Sequence, residues 1–196
     1  MATPVESALR RAVADLNALK LRWALIGGLA VSVRSAPRFT KDLDFAVAVG
    51  GDPEAEDVVH RLQGRGYRPL EVLEQDYVER LSGVRLGQNG SDVVVDLLFA
   101  SSGIEGEVVA SATPLEVLPK LSVPVATTGY LIALKVLAGR NQDLTDLETL
   151  IPSASAADLD TARSGVKLIH ERGFNREQDV VADLDELISA TRVSGQ

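Results

Sequence analysis

Two aspartates separated by one leucine, Asp42 and Asp44, close the stretch WALIGGLAVSVRSAPRFTKDLDFAV that starts at Trp23. On a β-strand, side chains two apart project to the same face, so these carboxylates would stand side by side. Their repulsion raises the pKa of each unless a cation compensates, and a divalent metal removes the conflict. A third acid, Asp96, interrupts the apolar run VVVDLLF, where an unpaired charge is costly. If its strand lies beside the one carrying Asp42, the three form a triad able to hold two hard cations close together. Upstream, Gly27 and Gly28 mark the change from an apolar strand to a helix, where backbone N–H groups can approach a phosphate and the helix N-terminus adds a favourable field. Each feature alone has a plainer reading: a turn for the glycines, a solvated strand end for Asp42 and Asp44, an arginine or backbone partner for Asp96. Their order along the chain is what points to metal and phosphate chemistry.

Composition narrows the ligand types. Cysteine is absent, so there is neither a disulfide framework nor a thiolate metal site. The two histidines, His60 and His170, fall in helical patterns and are too few for a histidine-rich centre. Metal binding must then use carboxylates, which suit Mg2+ or Mn2+. The net charge of -8 disfavours non-specific nucleic-acid binding by field alone, although Arg34, Arg38 and Lys41 gather beside the opening stretch. The N-terminus carries no apolar signal core and no apolar run reaches membrane-spanning length, so the expectation is a cytoplasmic protein without membrane contact.

The elements that must position these residues follow from periodicity. Val5, Leu9, Val13, Leu16 and Leu19 recur at helical spacing. WALIG and LDFAVAV read as strands, with a two-turn helix between them ended by Pro37. GGDPEAEDVVHRLQGRG reads as a helix with Asp52 as N-cap and Pro53 at N1. YRPLEVL is a strand, VERLSGVRLG a hairpin around Ser82 and Gly83, and SDVVVDLLFA the strongest strand of the chain. TPLEVLPKLSVPVAT adds two edge strands, as its prolines require. From Thr127 onward the pattern is helical: TTGYLIALKVLAGR, DLTDLETLI, SAADLDTARSGVKLIHERG with Ser155 and Asp158 in a capping box, and REQDVVADLDELISATR. The expected fold is α/β, of the α+β kind: a mixed sheet flanked by helices in residues 1–126, and a helical bundle in 127–196 packed across its open side to leave a cleft.

GGLAV…RFTKDLDF followed by VVVDLLF resembles the DNA polymerase β-like nucleotidyltransferases. PRFTKDLDF with LIALKVLAGRNQDLTDLETL is similar to their AbiEii group of toxins, which includes mycobacterial toxins that modify transfer RNA. The resemblance implies a nucleotidyltransferase-type sheet. It assigns Asp42, Asp44 and Asp96 to metal and catalysis, and Gly27, Gly28, Arg38 and Lys41 to the nucleotide. It gives Lys135 to the β- and γ-phosphates and makes Asp146 a catalytic candidate. It implies transfer from a nucleoside triphosphate (NTP), CTP or another pyrimidine, to the 3′ end of transfer RNA, by a toxin held in check by an antitoxin. Residue chemistry leaves Lys135 an alternative as a lysine snorkelling off its helix, and Asp143 with Asp146 the spacing of an N-cap and its N3 partner. Gly28 stands where many relatives have serine, and Ser32 is the nearest hydroxyl one turn on. Two other functions fit the same core: a nucleotidyltransferase acting on aminoglycoside or lincosamide antibiotics, and an inactive binding module of the same fold.

Overall fold

The computed structural model describes residues 3–37, 40–75 and 80–194. Within them the chain forms eight helices and seven strands. Helix α1 (Pro4–Ala18) starts from a capping box, with Thr3 and Glu6 each satisfying the other's backbone N–H, and buries Leu9, Ala12 and Leu16. Strand β1 (Trp23–Ile26) is buried along its whole length and runs without a loop into α2 (Gly27–Arg34). Strand β2 (Leu43–Val47) and helix α3 (Asp52–Gln63) follow, then β3 (Tyr67–Gln75), β4 (Arg80–Gln88) and β5 (Val94–Leu98). Helix α4 (Glu105–Ser111) separates β5 from β6 (Thr113–Leu118) and β7 (Leu121–Val125). Four helices complete the chain: α5 (Thr128–Ala138), α6 (Asn141–Ser153), α7 (Ala156–Glu171) and α8 (Val180–Ser194).

All seven strands share one sheet in the order β3-β4-β5-β2-β1-β7-β6. The pairs β2/β5 and β1/β7 are parallel and the others antiparallel, so the mixed α/β fold with a helical C-terminal part is the observed architecture. Alternation decides what each face carries. In β2, Leu43 and Phe45 are fully buried, and Trp23 meets Phe45 edge-on at 5.4 Å; Asp44, between them in sequence, must project to the other face. In β5 the same rule buries Val95 and Leu97 and turns Asp96 toward that other face. Helix α5 packs on α2, α6, α7 and α8, so the helical part stands against the start of the strand-to-helix turn.

Three expectations need correction, and one helix was not foreseen. Ser82 and Gly83 do not make a hairpin; both lie within the unbroken β4, where Gly83 is pressed so close to the Leu97 carbonyl that a Cβ would come within 2.6 Å. Of the two strands expected at an edge only β6 lies at one, at the opposite end of the sheet from β3; β7 is internal, paired with β6 and, through Leu25 and Val125, with β1, a contact short enough for Pro124 to leave undisturbed. Helix α3 is capped by Gly51, with Asp52 already in its first turn. Helix α4 was not legible, its seven residues being too few for a periodic pattern.

Candidate active site

Asp44 and Asp96 are directly opposite each other on the parallel strands β2 and β5, and the next position across the sheet, on β4, is Arg85. Glu71 of β3 continues the same row. A line of charges, minus, minus, plus, minus, therefore crosses four adjacent strands. Arg85 grips Asp96 with two parallel bonds, Nε to Oδ1 and Nη2 to Oδ2, each 3.0 Å, and reaches Glu71 at 3.9 Å. This fork on a carboxylate is the strong form of an arginine ion pair, and it raises the guanidinium pKa.

Asp44 has no such partner among the described residues. Burial first, then the negative charge of Asp96, pushes its carboxyl up to about 6; Lys135 and Arg140 pull the other way, and Asp42 adds to the rise. Asp42 sits just before β2, its carbonyl accepting from the Thr40 hydroxyl at 3.2 Å. Gly27 explains how the Asp44 carboxylate fits: a Cβ there would meet Asp44 Oδ2 at 2.0 Å, and its φ of 64° is left-handed. So the first glycine of the pair is required by the carboxylate itself. The Ser32 hydroxyl donates to the Gly28 carbonyl at 3.0 Å, inside α2.

The helical side of the cleft is built from α5 and α6. Lys135 is buried on α5, with Nζ 2.5 Å from Asp143 Oδ1 and 2.8 Å from Asp146 Oδ2. Helix α6 starts earlier than DLTDL suggests, with Arg140 as N-cap, so Asp143 is an N3 residue and not the cap. Its Oδ2 accepts from the Arg140 backbone N–H at 3.3 Å and from Arg140 Nε at 2.6 Å. Burial alone would raise the Asp143 carboxyl, but the bonds from Arg140 and Lys135 outweigh it and hold it below its usual range. Two carboxylates take two of the three ammonium donors of Lys135, leaving one.

These walls enclose two adjoining hollows of about 350 and 280 Å³. The first brings together Gly27, Gly28, Lys41, Asp42, Asp44 and Asp96, with Arg85 and Lys135. The second shares Asp44, Asp96, Arg85, Lys135, Arg140 and Asp143 with the first and adds apolar side chains, Leu98, Leu131 and Leu134 among them, together with Ser101, Ser102 and Arg176. A larger hollow of about 580 Å³ beside α3 and β4 contains none of the expected residues. Arg38 lies outside the described residues. Arg34 faces away, bonding the Val125 and Ala126 carbonyls at 2.9 Å each and so tying α2 to β7. Ser82 is buried in the sheet. Sequence reasoning missed Arg85, and the only available signal was an arginine at an alternate position in a strand preceding the Asp96 strand. It missed Arg176 altogether.

Among the described residues no three acidic or imidazole groups already converge as a metal cage, since Asp96 spends both oxygens on Arg85. The chemistry nevertheless fits a hard divalent cation: the donors are carboxylates only, and burial followed by the charge of Asp96 raises the Asp44 carboxyl despite the pull of Lys135 and Arg140, with no ion pair to Asp44 among the described residues.

The model of the nucleotidyl transferase AbiEii toxin family, a type IV toxin–antitoxin system, matches residues 8–191. No curated protein matches the chain. Among solved structures it is similar to the antibiotic-resistance factor ANT(2'')-Ia, at 16% identity and a TM-score of 0.48 over 96% of this chain and 91% of that one. It is similar to JHP933 from Helicobacter pylori, at 16% identity and a TM-score of 0.47 over 96% and 89%. The lincosamide antibiotic adenylyltransferase LnuA, solved with lincomycin, matches at 15% identity and 0.48 over 84% and 97%.

Proposed function

The chain belongs to the AbiEii nucleotidyltransferase toxin family, and from that premise we propose that it transfers a nucleotide, CTP or another pyrimidine being the donor, to the 3′ end of transfer RNA. Membership makes it an enzyme of the nucleotidyltransferase class, using an NTP, and the toxin half of a toxin–antitoxin pair. The observation that carries the proposed chemistry is the register of Asp44 opposite Asp96, with Asp42 beside them and no ion pair to Asp44 among the described residues.

Asp42, Asp44 and Asp96 would hold Mg2+ or Mn2+. Bound there, the cation supplies charge neutralisation of the triphosphate and acidifies the acceptor hydroxyl. Asp96 takes the proton of that hydroxyl on a carboxylate oxygen as the freed oxygen attacks the α-phosphorus in line. The α–β bridging P–O bond breaks and pyrophosphate leaves. Lys41, Lys135 and Arg140 line the same hollow and offset its charge. Gly27 and Gly28 present backbone N–H groups at the start of α2. Catalysis in this scheme is positioning and charge compensation, which is why few side chains suffice. The cation-rich cleft of an otherwise acidic chain supports a polyanionic substrate. No helix among the described residues is long and apolar enough to cross a membrane, and the proposed place of work is the cytoplasm.

Incubation with each labelled NTP and magnesium, with total transfer RNA or with a panel of aminoglycosides and lincosamides, tests this reading. Label on the RNA 3′ end, abolished in Asp44→Asn, is the expected result. Label on a drug alone overturns the RNA acceptor, and no label with any acceptor overturns transfer.

A further inference from the structure

The link between α7 and α8 holds two consecutive non-glycine residues in left-handed backbone, Arg176 at φ 53° and Glu177 at φ 62°. Side chains disfavour this region, and such outliers persist only where the surroundings enforce them. Here the turn is closed from both sides: the Gln178 N–H donates to the Asn175 carbonyl at 2.9 Å, and Asn175 Nδ2 to the Gln178 carbonyl at 2.8 Å. What the turn achieves is to set Arg176 in the wall of the cleft that Asp44, Asp96, Lys135 and Arg140 also line.

Arg176 is half-buried there, and its hydrogen bonds go to neutral acceptors: Nη2 to the Ser101 carbonyl at 3.2 Å and to Ser101 Oγ at 3.1 Å. No carboxylate forms an ion pair with it among the described residues, whereas Arg85, Arg140 and Arg172 each have one. Glu105 is the acid whose charge it feels, but Glu105 Oε1 is taken up by the Ser101 and Ser102 N–H groups and the Ser102 hydroxyl. Burial lowers the Arg176 pKa despite Glu105, and Arg140 lowers it further. A guanidinium taken partly out of water, with one of its nitrogens bonded and most of its five N–H donors unspent, is built for an anion that the chain does not contain.

We propose that Arg176 binds a phosphate group of the substrate, as an anion subsite on the helical wall opposite the carboxylates. It rests on the nucleotidyl-transfer reading and extends it, because two phosphate sources meet in such a cleft: the terminal phosphates of the NTP, and the internucleotide phosphate behind the acceptor's terminal nucleotide. A planar fork pairs with either in two-point fashion.

Calorimetric titration of the full chain with magnesium tripolyphosphate, and separately with a short single-stranded RNA ending in a free 3′ hydroxyl, distinguishes the sources. Arg176→Ala is expected to weaken one of them about tenfold or more, the scale of a charge-assisted hydrogen bond. Loss confined to tripolyphosphate assigns the subsite to the NTP; loss confined to RNA, with a shallower salt dependence, assigns it to the acceptor backbone. Arg176→Lys, which keeps the charge but not the fork, is expected to fall between, and it is the variant read if a thermal melt shows Arg176→Ala to be unfolded. Folded variants that bind both probes as the unaltered protein does overturn the proposal, while label transfer by the unaltered protein leaves the transferase reading standing. Arg176-dependent tripolyphosphate binding without transfer to any acceptor has the opposite meaning: the subsite holds and the transferase reading falls.

Discussion

Two groups of acids face each other across the cleft, and the chain treats them oppositely. On the helical wall, Asp143 and Asp146 are almost fully buried, yet each lies within 2.8 Å of Lys135, and Asp143 has Arg140 as well. On the sheet, the one ion pair to Asp42, Asp44 or Asp96 among the described residues is that of Arg85, whose fork holds Asp96. The Asp143 carboxyl is pulled down and the Asp44 carboxyl is pushed up, by the same rule applied to different company. A buried acid with its cations supplied internally is structural cement. A buried acid left without one holds a place for a charge that arrives from outside.

That contrast is open to direct attack. Its largest expected consequence is on activity: Asp44→Asn should reduce label transfer by about a thousandfold or more, since charge placement is the main source of rate in such a site, while leaving the protein folded. The same substitution removes a repulsion, so the metal-free melting temperature should rise by about 2–4 °C, the shift of roughly 1 kcal/mol for a chain of this size. A fall in melting temperature would mean that Asp44 has a partner after all. Asp143→Asn should do the reverse, losing about 3 kcal/mol by leaving Lys135 half-paired in the interior, seen as an earlier chemical denaturation midpoint. Gly27→Ala sharpens the point from the backbone side: the new methyl overlaps Asp44 Oδ2, so transfer should drop at least about tenfold, by the cost of misplacing a reacting group, with secondary structure by circular dichroism unchanged.

Acid gives a smaller but cleaner separation. Because folding raises the Asp44 pKa from 3.8 to about 6, the native state binds more protons than the unfolded chain between those values. This group's contribution to stability therefore falls as pH rises through that window, and added magnesium or Asp44→Asn should flatten the slope. Asp143 is depressed, so its contribution is present above the ordinary carboxylate range and lost as pH falls through its lowered value. Melting temperatures from about pH 2 to 7, with and without magnesium, read both signs, Asp44 in the upper part of that range and Asp143 in the lower. An identical pH slope in Asp44→Asn and the unaltered protein would dissolve the distinction between the two groups.

Much of this was legible from residue order. The period-2 alternation in LDFAV and VVDLL and the Gly-Gly turn put Asp42, Asp44, Asp96 and the glycines together as candidates, because strand geometry is local and its face assignment follows from parity. Helices α5 to α8 announced themselves by spacing and caps, Ser155 with Asp158 most clearly. The failures also have local causes. The Ser-Gly pair in β4 looks like a turn because its reason, the nearby Leu97 carbonyl, lies on another strand. The snorkelling alternative for Lys135 gives way to burial because its partners sit on the next helix, and their meeting depends on how α5 and α6 cross.

By itself, then, the amino-acid sequence determined which residues alternate to which face, where glycine permits a sharp entry into α2, and that only hard oxygen donors are available. The tertiary structure alone decided the pairing: β5 beside β2 in parallel, which sets Asp96 opposite Asp44; β4 beside β5, which gives Arg85 to Asp96; and the α7–α8 turn, which brings Arg176 to the same cleft. The physical reason is range. Parity, caps and turns act between near neighbours in the chain, whereas charge compensation acts between neighbours in space, and a sequence lists only the first kind.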